Sequence, residues 1–211
     1  MSIKLNAQSG GSVALDAPTQ TTSSADLTFK LPVADGSANQ LMKTDGSGNL
    51  GWATDQGGKI LQVKHAFKKD AYTNSSGNFA AITGLAVTIA AASTSNKLLF
   101  QCNLMYSLQS MEIFVARLYD GTSEITDTRS TIASTANNNG WITDYNKTTV
   151  SASDLMTNVS GTYLHTPTDT NSHTYNIYVR SHSGSNVYIN RRGYADDFGG
   201  TSDFSVMEIA A

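Results

Sequence analysis

Several things that most globular chains carry are scarce here, and each scarcity removes a class of function. The single cysteine, Cys102, excludes an internal disulfide, and its surroundings, LLFQCNLMY, read as a buried strand, which argues against redox chemistry. Charged residues make up 15% of the 211-residue chain, with 14 Lys and Arg against 17 Asp and Glu. A nucleic-acid partner would demand a clustered basic excess, so none is expected. No apolar run approaches the roughly 18 to 20 residues that span a bilayer, so no membrane insertion is expected. The start, MSIKLNAQSGG, lacks the basic patch and apolar run of a secretory leader, which points to a soluble product made in the cytoplasm. The four histidines, His65, His165, His173 and His182, show no HxH or HExxH spacing, and no CxxC occurs. Neither a resident metal nor another cofactor is expected. A ring of one histidine per subunit at a three-fold axis, from His165, His173 or His182, is the minor reading.

Aromatics are scarce in one place above all. Residues 1 to 59 hold two of the chain's 18, Phe29 and Trp52, together with 28 Ser, Thr, Gly, Asn or Gln and two of the three prolines. Too little apolar surface is available there to offset roughly 1 to 2 kcal/mol of backbone entropy per ordered residue. Two alternating pieces survive, SVALDA (12 to 17) and ADLTFKL (25 to 31), and Leu27, Phe29 and Leu31 share one strand face in the second. Residues 1 to 30 therefore read as an extended attachment arm that orders against another subunit or protein; an unstructured linker is the plainer alternative. Residues 31 to 59 read as a joint. Asp35-Gly36 and Asp45-Gly46 open two turn clusters, with Leu41-Met42 between them and Leu50 and Trp52 after them, the pattern of a small β-hairpin. An isolated hairpin is marginal in water, so it should dock on something larger.

What is abundant from Ile60 onward is period-two alternation. Leu61, Val63, His65 and Phe67 share one face, as do Leu85, Val87 and Ile89, and Leu98, Phe100, Cys102, Leu104 and Tyr106. EIFVARLYD (112 to 120) is apolar on both faces, which fits a central strand or a subunit contact. Further strands are expected at 123–130, 140–145, 160–165, 173–180, 186–191 and 203–210, separated by polar turn clusters and one longer connection near 131 to 158. With no segment at helical spacing, the fold class is all-β: an arm and small hairpin, then an antiparallel, jelly-roll-like β-sandwich over 60 to 211.

Two stretches carry a resemblance. LPVADGSANQLMKTDGSGNLGW resembles a linker-hairpin motif of tail-fibre and other virion proteins of marine tailed bacteriophages, especially those of cyanobacteria, with Met42 where that motif prefers Leu. The opening of the sandwich, with its ITGL turn and Ser-rich corner, and its ending, SVMEIA, are similar to a β-sandwich module of the same proteins. The resemblance leaves out roughly residues 105 to 160. It implies a non-enzymatic virion appendage, a homotrimer in which the arm binds other virion proteins of tail or capsid and the sandwich faces outward. It thereby implies a short tail fibre engaged in host attachment, or a capsid decoration protein or head fibre.

The residues themselves offer no catalytic constellation. Asp45-Gly46-Ser47-Gly48-Asn49 lacks the acidic ladder of a calcium loop, and Asp196-Asp197 are adjacent rather than set across a cleft as glycosidase acids would be. Trp141, Tyr145, Tyr163, Tyr188 and Tyr194 stand beside polar loops. They suit either a shallow surface for a host glycan, in a lectin-like protein, or a subunit interface.

Overall fold

The structure, a computed structural model, describes residues 3–6, 9–10, 12–15, 18–22, 25–55, 60–132, 138–145, 155–193 and 198–211. The chain divides into two compact units, residues 1–57 and 58–211, so the expected arm and hairpin fall in one unit.

In the first unit, β1 (Ile3–Asn6) and β2 (Ser12–Leu15) pair antiparallel, which gives the SVAL segment a local partner. β3 (Gln40–Thr44) and β4 (Leu50–Thr54) form the hairpin anticipated from the paired Asp-Gly turns, with Met42 opposite Trp52. The expected strand at 25–31 is not one. Its sole ladder contact is an isolated parallel bridge from Lys30 to Asn49, because no neighbouring strand runs alongside the rest of it.

The second unit is an all-β antiparallel sandwich of jelly-roll-like form, one of whose sheets curls towards a half-barrel. Its strands are β5 (Ile60–Lys68), β6 (Tyr72–Asn74), β7 (Ala80–Ala90), β8 (Lys97–Leu108), β9 (Ile113–Asp120), β10 (Ser123–Glu124), β11 (Ile142–Tyr145), β12 (Thr157–His165), β13 (Ser172–Ser181), β14 (Val187–Ile189) and β15 (Ser202–Ile209). One sheet runs β10-β9-β13-β7 with β11 also on β9; the other runs β5-β15-β8-β14-β6 with β12 also on β8. Alternation places Leu98, Phe100, Cys102, Leu104 and Tyr106 of β8 and Phe204 and Val206 of β15 against Leu85, Val87 and Ile89 of β7 and Tyr175, Ile177 and Val179 of β13. Phe100 sits at the centre, 4.7 Å from Tyr175 and 6.0 Å from Phe204, measured between ring centroids. Burial pushes the Cys102 thiol up to about 12, which keeps it protonated and inert.

Two details of the sequence acquire a reason. The ITGL turn is a bulge inside β7: the pairing with β13 jumps between Asn176 and Tyr178, and Gly84 takes φ +80°. An odd step then lets both Ile82 and Leu85 point into the core, which unbroken alternation forbids. The Glu of SVMEIA is Glu208, wholly buried, whose carboxylate accepts from the Ala92 backbone N–H, Asn96 Nδ2 and Gln62 Nε2 at 2.7, 2.6 and 2.6 Å. It fastens the Ser-rich corner between β7 and β8 to the last strand.

Other expectations need correction. Of the strand expected at 123–130 only Ser123–Glu124 pairs, and the chain then makes a 3-10 turn at Thr126–Thr128. β12 begins at Thr157, inside the expected polar connection. The two-faced apolar character of β9 is used within the subunit. Phe114, Ala116 and Leu118 enter the core, while Val115 and Arg117 on the other face are covered by the connection to β11, where Arg117 Nε donates to the Asn139 carbonyl at 2.9 Å.

Candidate functional site

The hairpin unit is held by polar groups drawn largely from its two turn clusters. The Asp45 carboxylate accepts from the Ser47 N–H at 2.7 Å, the Asn49 N–H at 3.1 Å and Asn49 Nδ2 at 2.6 Å. The Asn49 side chain foremost, then the backbone donors, hold the Asp45 carboxyl below the usual range. Gln40 Oε1 accepts from the Ser37 N–H at 2.6 Å, and Trp52 Nε1 donates to the Ala34 carbonyl at 2.8 Å. The Trp52 ring lies so close over Gly36 that a Cβ there would meet it at 2.6 Å. Gly48 takes φ +88°, and a Cβ on it would meet the Thr28 carbonyl oxygen at 2.5 Å. The Lys30 N–H donates to the Gly48 carbonyl at 2.9 Å and the Leu50 N–H to the Lys30 carbonyl at 2.8 Å, which pins the 25–33 stretch to the hairpin.

The apolar side chains take little part in this. Leu27, Phe29, Leu31, Val33, Leu41, Met42 and Trp52 are all exposed, Phe29 to 62% and Leu31 to 72%. A backbone fixed by local hydrogen bonds thus presents apolar groups to solvent. Each would contribute about 1.5 to 3 kcal/mol if fully buried.

On the sandwich, the apolar face of β5 turns away from the core. Leu61, Val63, His65 and Phe67 point outward, because the inward positions are Gln62, which reaches Glu208, and Ala66, which packs beside Phe204. Register carries this face across four strands: Leu164 of β12 lies opposite Leu99 of β8, Leu99 opposite Met207 of β15, and Met207 opposite Val63 of β5. Leu164 and Val63, at the two ends, are 52% and 55% exposed. The outer face of the other sheet is different: Tyr119 stacks on Tyr178 at 3.9 Å, and Phe79 takes the Arg117 guanidinium at 4.0 Å and that of Arg180 at 5.6 Å.

The aromatics singled out in the sequence do not share one platform. Trp141 and Tyr163 are neighbours, both half-buried against the core, and Trp141 Nε1 donates to the Thr162 carbonyl at 3.3 Å. Tyr188 is buried in β14, with Asn186 Nδ2 donating to its hydroxyl at 3.1 Å. Of the four that are described, Tyr145 alone is well exposed. It lines an open depression of about 400 Å³ with Ile113, Asn138, Thr143 and Asp144. Tyr194, and with it Asp196 and Asp197, lies outside the described residues.

The histidines hold one arrangement that sequence reading missed. His173 has a carboxylate on each ring nitrogen, Asp120 on Nδ1 and Asp169 on Nε2, whereas His165 packs among Phe100, Tyr163 and Tyr175. With both nitrogens engaged, His173 has none to offer a ring of subunits. Asp169 stands four residues before His173, a spacing open to inspection, but Asp120 is 53 residues away and only the fold brings it near. Among the described residues no group of three or more His, Cys, Asp or Glu is placed to hold a metal ion, and no helix is long and apolar enough to cross a membrane. No protein-family model matches the chain, and the search of curated proteins finds no match.

Proposed function

We propose that the chain is a structural protein of a bacteriophage virion, a short homotrimeric tail fibre or fibre-like appendage anchored by its N-terminal unit and displaying the sandwich for host attachment. The observation that carries this reading is the N-terminal unit itself: the backbone between residues 28 and 52 is pinned by polar contacts while Leu27, Phe29, Leu31, Val33, Leu41 and Met42 stay in solvent. A free subunit of this kind stays soluble and gains its apolar burial only on assembly, which suits an attachment device. Ala34, Gln40, Asp45, Ser47, Gly48, Leu50 and Trp52 of the stretch that resembles virion connectors take part in those contacts. The Leu164–Leu99–Met207–Val63 row supplies a subunit contact for the trimer.

Deleting residues 1 to 30 tests the anchor. The shortened protein is expected to keep a folded sandwich and to be absent from purified particles; normal incorporation would end the anchor reading. Copy number separates the tail from the capsid: tens or fewer per particle fit a fibre, and hundreds fit a decoration protein or head fibre. A stable monomer in light scattering at micromolar concentration would remove the trimer. Host-cell adsorption by the isolated domain tests attachment, and a clean absence of binding would move the reading to decoration.

A further inference from the structure

The connection from β12 to β13 carries the chain from the six-stranded sheet to the five-stranded one, through residues 166 to 171. His173 stands just beyond it, partly buried, with 24% of its side chain exposed. Its Nδ1 lies 2.5 Å from Asp120 Oδ2 at the end of β9, and its Nε2 lies 2.9 Å from Asp169 Oδ1 in the crossing itself. An ionised carboxylate only accepts hydrogen bonds, and a neutral imidazole carries a single N–H. Both contacts are therefore made together by an imidazolium. Asp169 is held ionised by the His173 bond first and then by the Asn171 N–H, which donates to the same carboxylate at 2.7 Å.

The groups around this site act in one direction. From β9 comes Asp120 and from the crossing Asp169, and both raise the His173 pKa, Asp169 the more, against a smaller opposing effect of burial. β12 contributes His165, whose own pKa burial lowers; Asp127 of the 3-10 turn and Lys97 of β8 act on His165 with opposite signs. The neighbour on β13 is Tyr175, whose hydroxyl is pushed up to about 12, mainly by burial, and stays neutral. The residue of β7 opposite His173 is Ile89, which carries no charge.

We propose that His173 is a pH-operated latch on this corner of the sandwich. As an imidazolium it ties the 166–171 crossing to the end of β9; on losing its proton it lets go of one carboxylate and the corner loosens. The folded-state pKa is raised above the ordinary value near ~6.5, so the latch's contribution is complete below that value and is lost as pH rises through the folded pKa.

An NMR titration of the full chain tests this through the His173 ring and the Asn171 amide. The expected result is a His173 midpoint above ~6.5, with the Asn171 amide moving at the same midpoint. In Asp169→Asn, a substitution of similar size at a half-exposed position, the His173 midpoint falls and the amide no longer follows it. A wild-type midpoint at or below the ordinary value, or an Asn171 amide indifferent to His173, would overturn the latch. As a second readout, the gap in denaturation midpoint between wild type and His173→Gln is expected to be wider at about pH 5.5 than at about pH 9. An equal gap would reduce His173 to a purely structural role.

Discussion

Phe100 in the sandwich has no exposed surface and is enclosed by Tyr175 and Phe204, whereas Phe29 in the N-terminal unit is 62% exposed and encloses nothing. The same side chain is used in opposite ways. In the sandwich, period-two alternation delivers one face of each inner strand to a shared core, and local irregularities such as the Gly84 bulge serve that core. In the N-terminal unit the order is reversed. Asp45, Gln40 and the Trp52 indole set the backbone first, and the apolar groups are left over as a surface. Between Leu27 and Trp52, then, polar residues set the local geometry while Leu27, Phe29, Leu31, Leu41 and Met42 lie outside.

The contrast can be broken at several points. The largest effect is expected from Phe100→Ala, which removes a fully buried ring and should cost the sandwich about 3 to 5 kcal/mol in chemical denaturation while leaving the hairpin resonances in place. Next comes Glu208→Ala, which strands the donors of Gln62, Asn96 and Ala92 and should cost about 1.5 to 3 kcal/mol. Burial pushes the Glu208 carboxyl up, but Asn96, Gln62 and the Ala92 N–H outweigh it and leave the pKa lowered. Its contribution is therefore present above the unfolded value near ~4.3 and lost as pH falls through the folded pKa. The destabilisation by Glu208→Gln should accordingly shrink in acid, as pH-dependent denaturation would report.

Gly48→Ala sharpens the comparison from the other side. With φ at +88° and the Thr28 carbonyl in the way, it should cost the hairpin more than about 1 kcal/mol and alter Trp52 emission without moving the denaturation midpoint of the sandwich. The smallest effect on stability belongs to Leu27→Ser with Phe29→Ser, expected within about 0.5 kcal/mol of wild type because both are exposed. On the proposed anchor role, that same pair should abolish incorporation into particles.

The hairpin and most strands were legible because Asp-Gly turns and period-two alternation are local signals. Alternation identifies a strand but does not say which side is inside. Leu61, Val63, His65 and Phe67 share one face, and it lies outward because Gln62 and Ala66 are the residues that face Glu208 and Phe204. The doubly apolar β9 reads as a central strand or a subunit contact; it lies between neighbouring strands, and the connection carrying Asn139 and Gly140 covers its outer face. Ser-rich corner and terminal Glu are separate in the sequence and become one feature only when the last strand is placed. Aromatics beside polar loops fit a glycan platform or a subunit interface, but burial disperses them: Tyr188 is buried in β14 beneath Arg191 and Trp141 closes on Thr162.

Hydroxyl-radical footprinting of the full-length protein, free and incorporated in purified particles, tests the central claim most directly. Phe29, Met42 and Trp52 are expected to become protected on assembly while Met111, exposed on the sandwich, keeps its labelling. Equal labelling of Phe29, Met42 and Trp52 in the free and incorporated protein would contradict it.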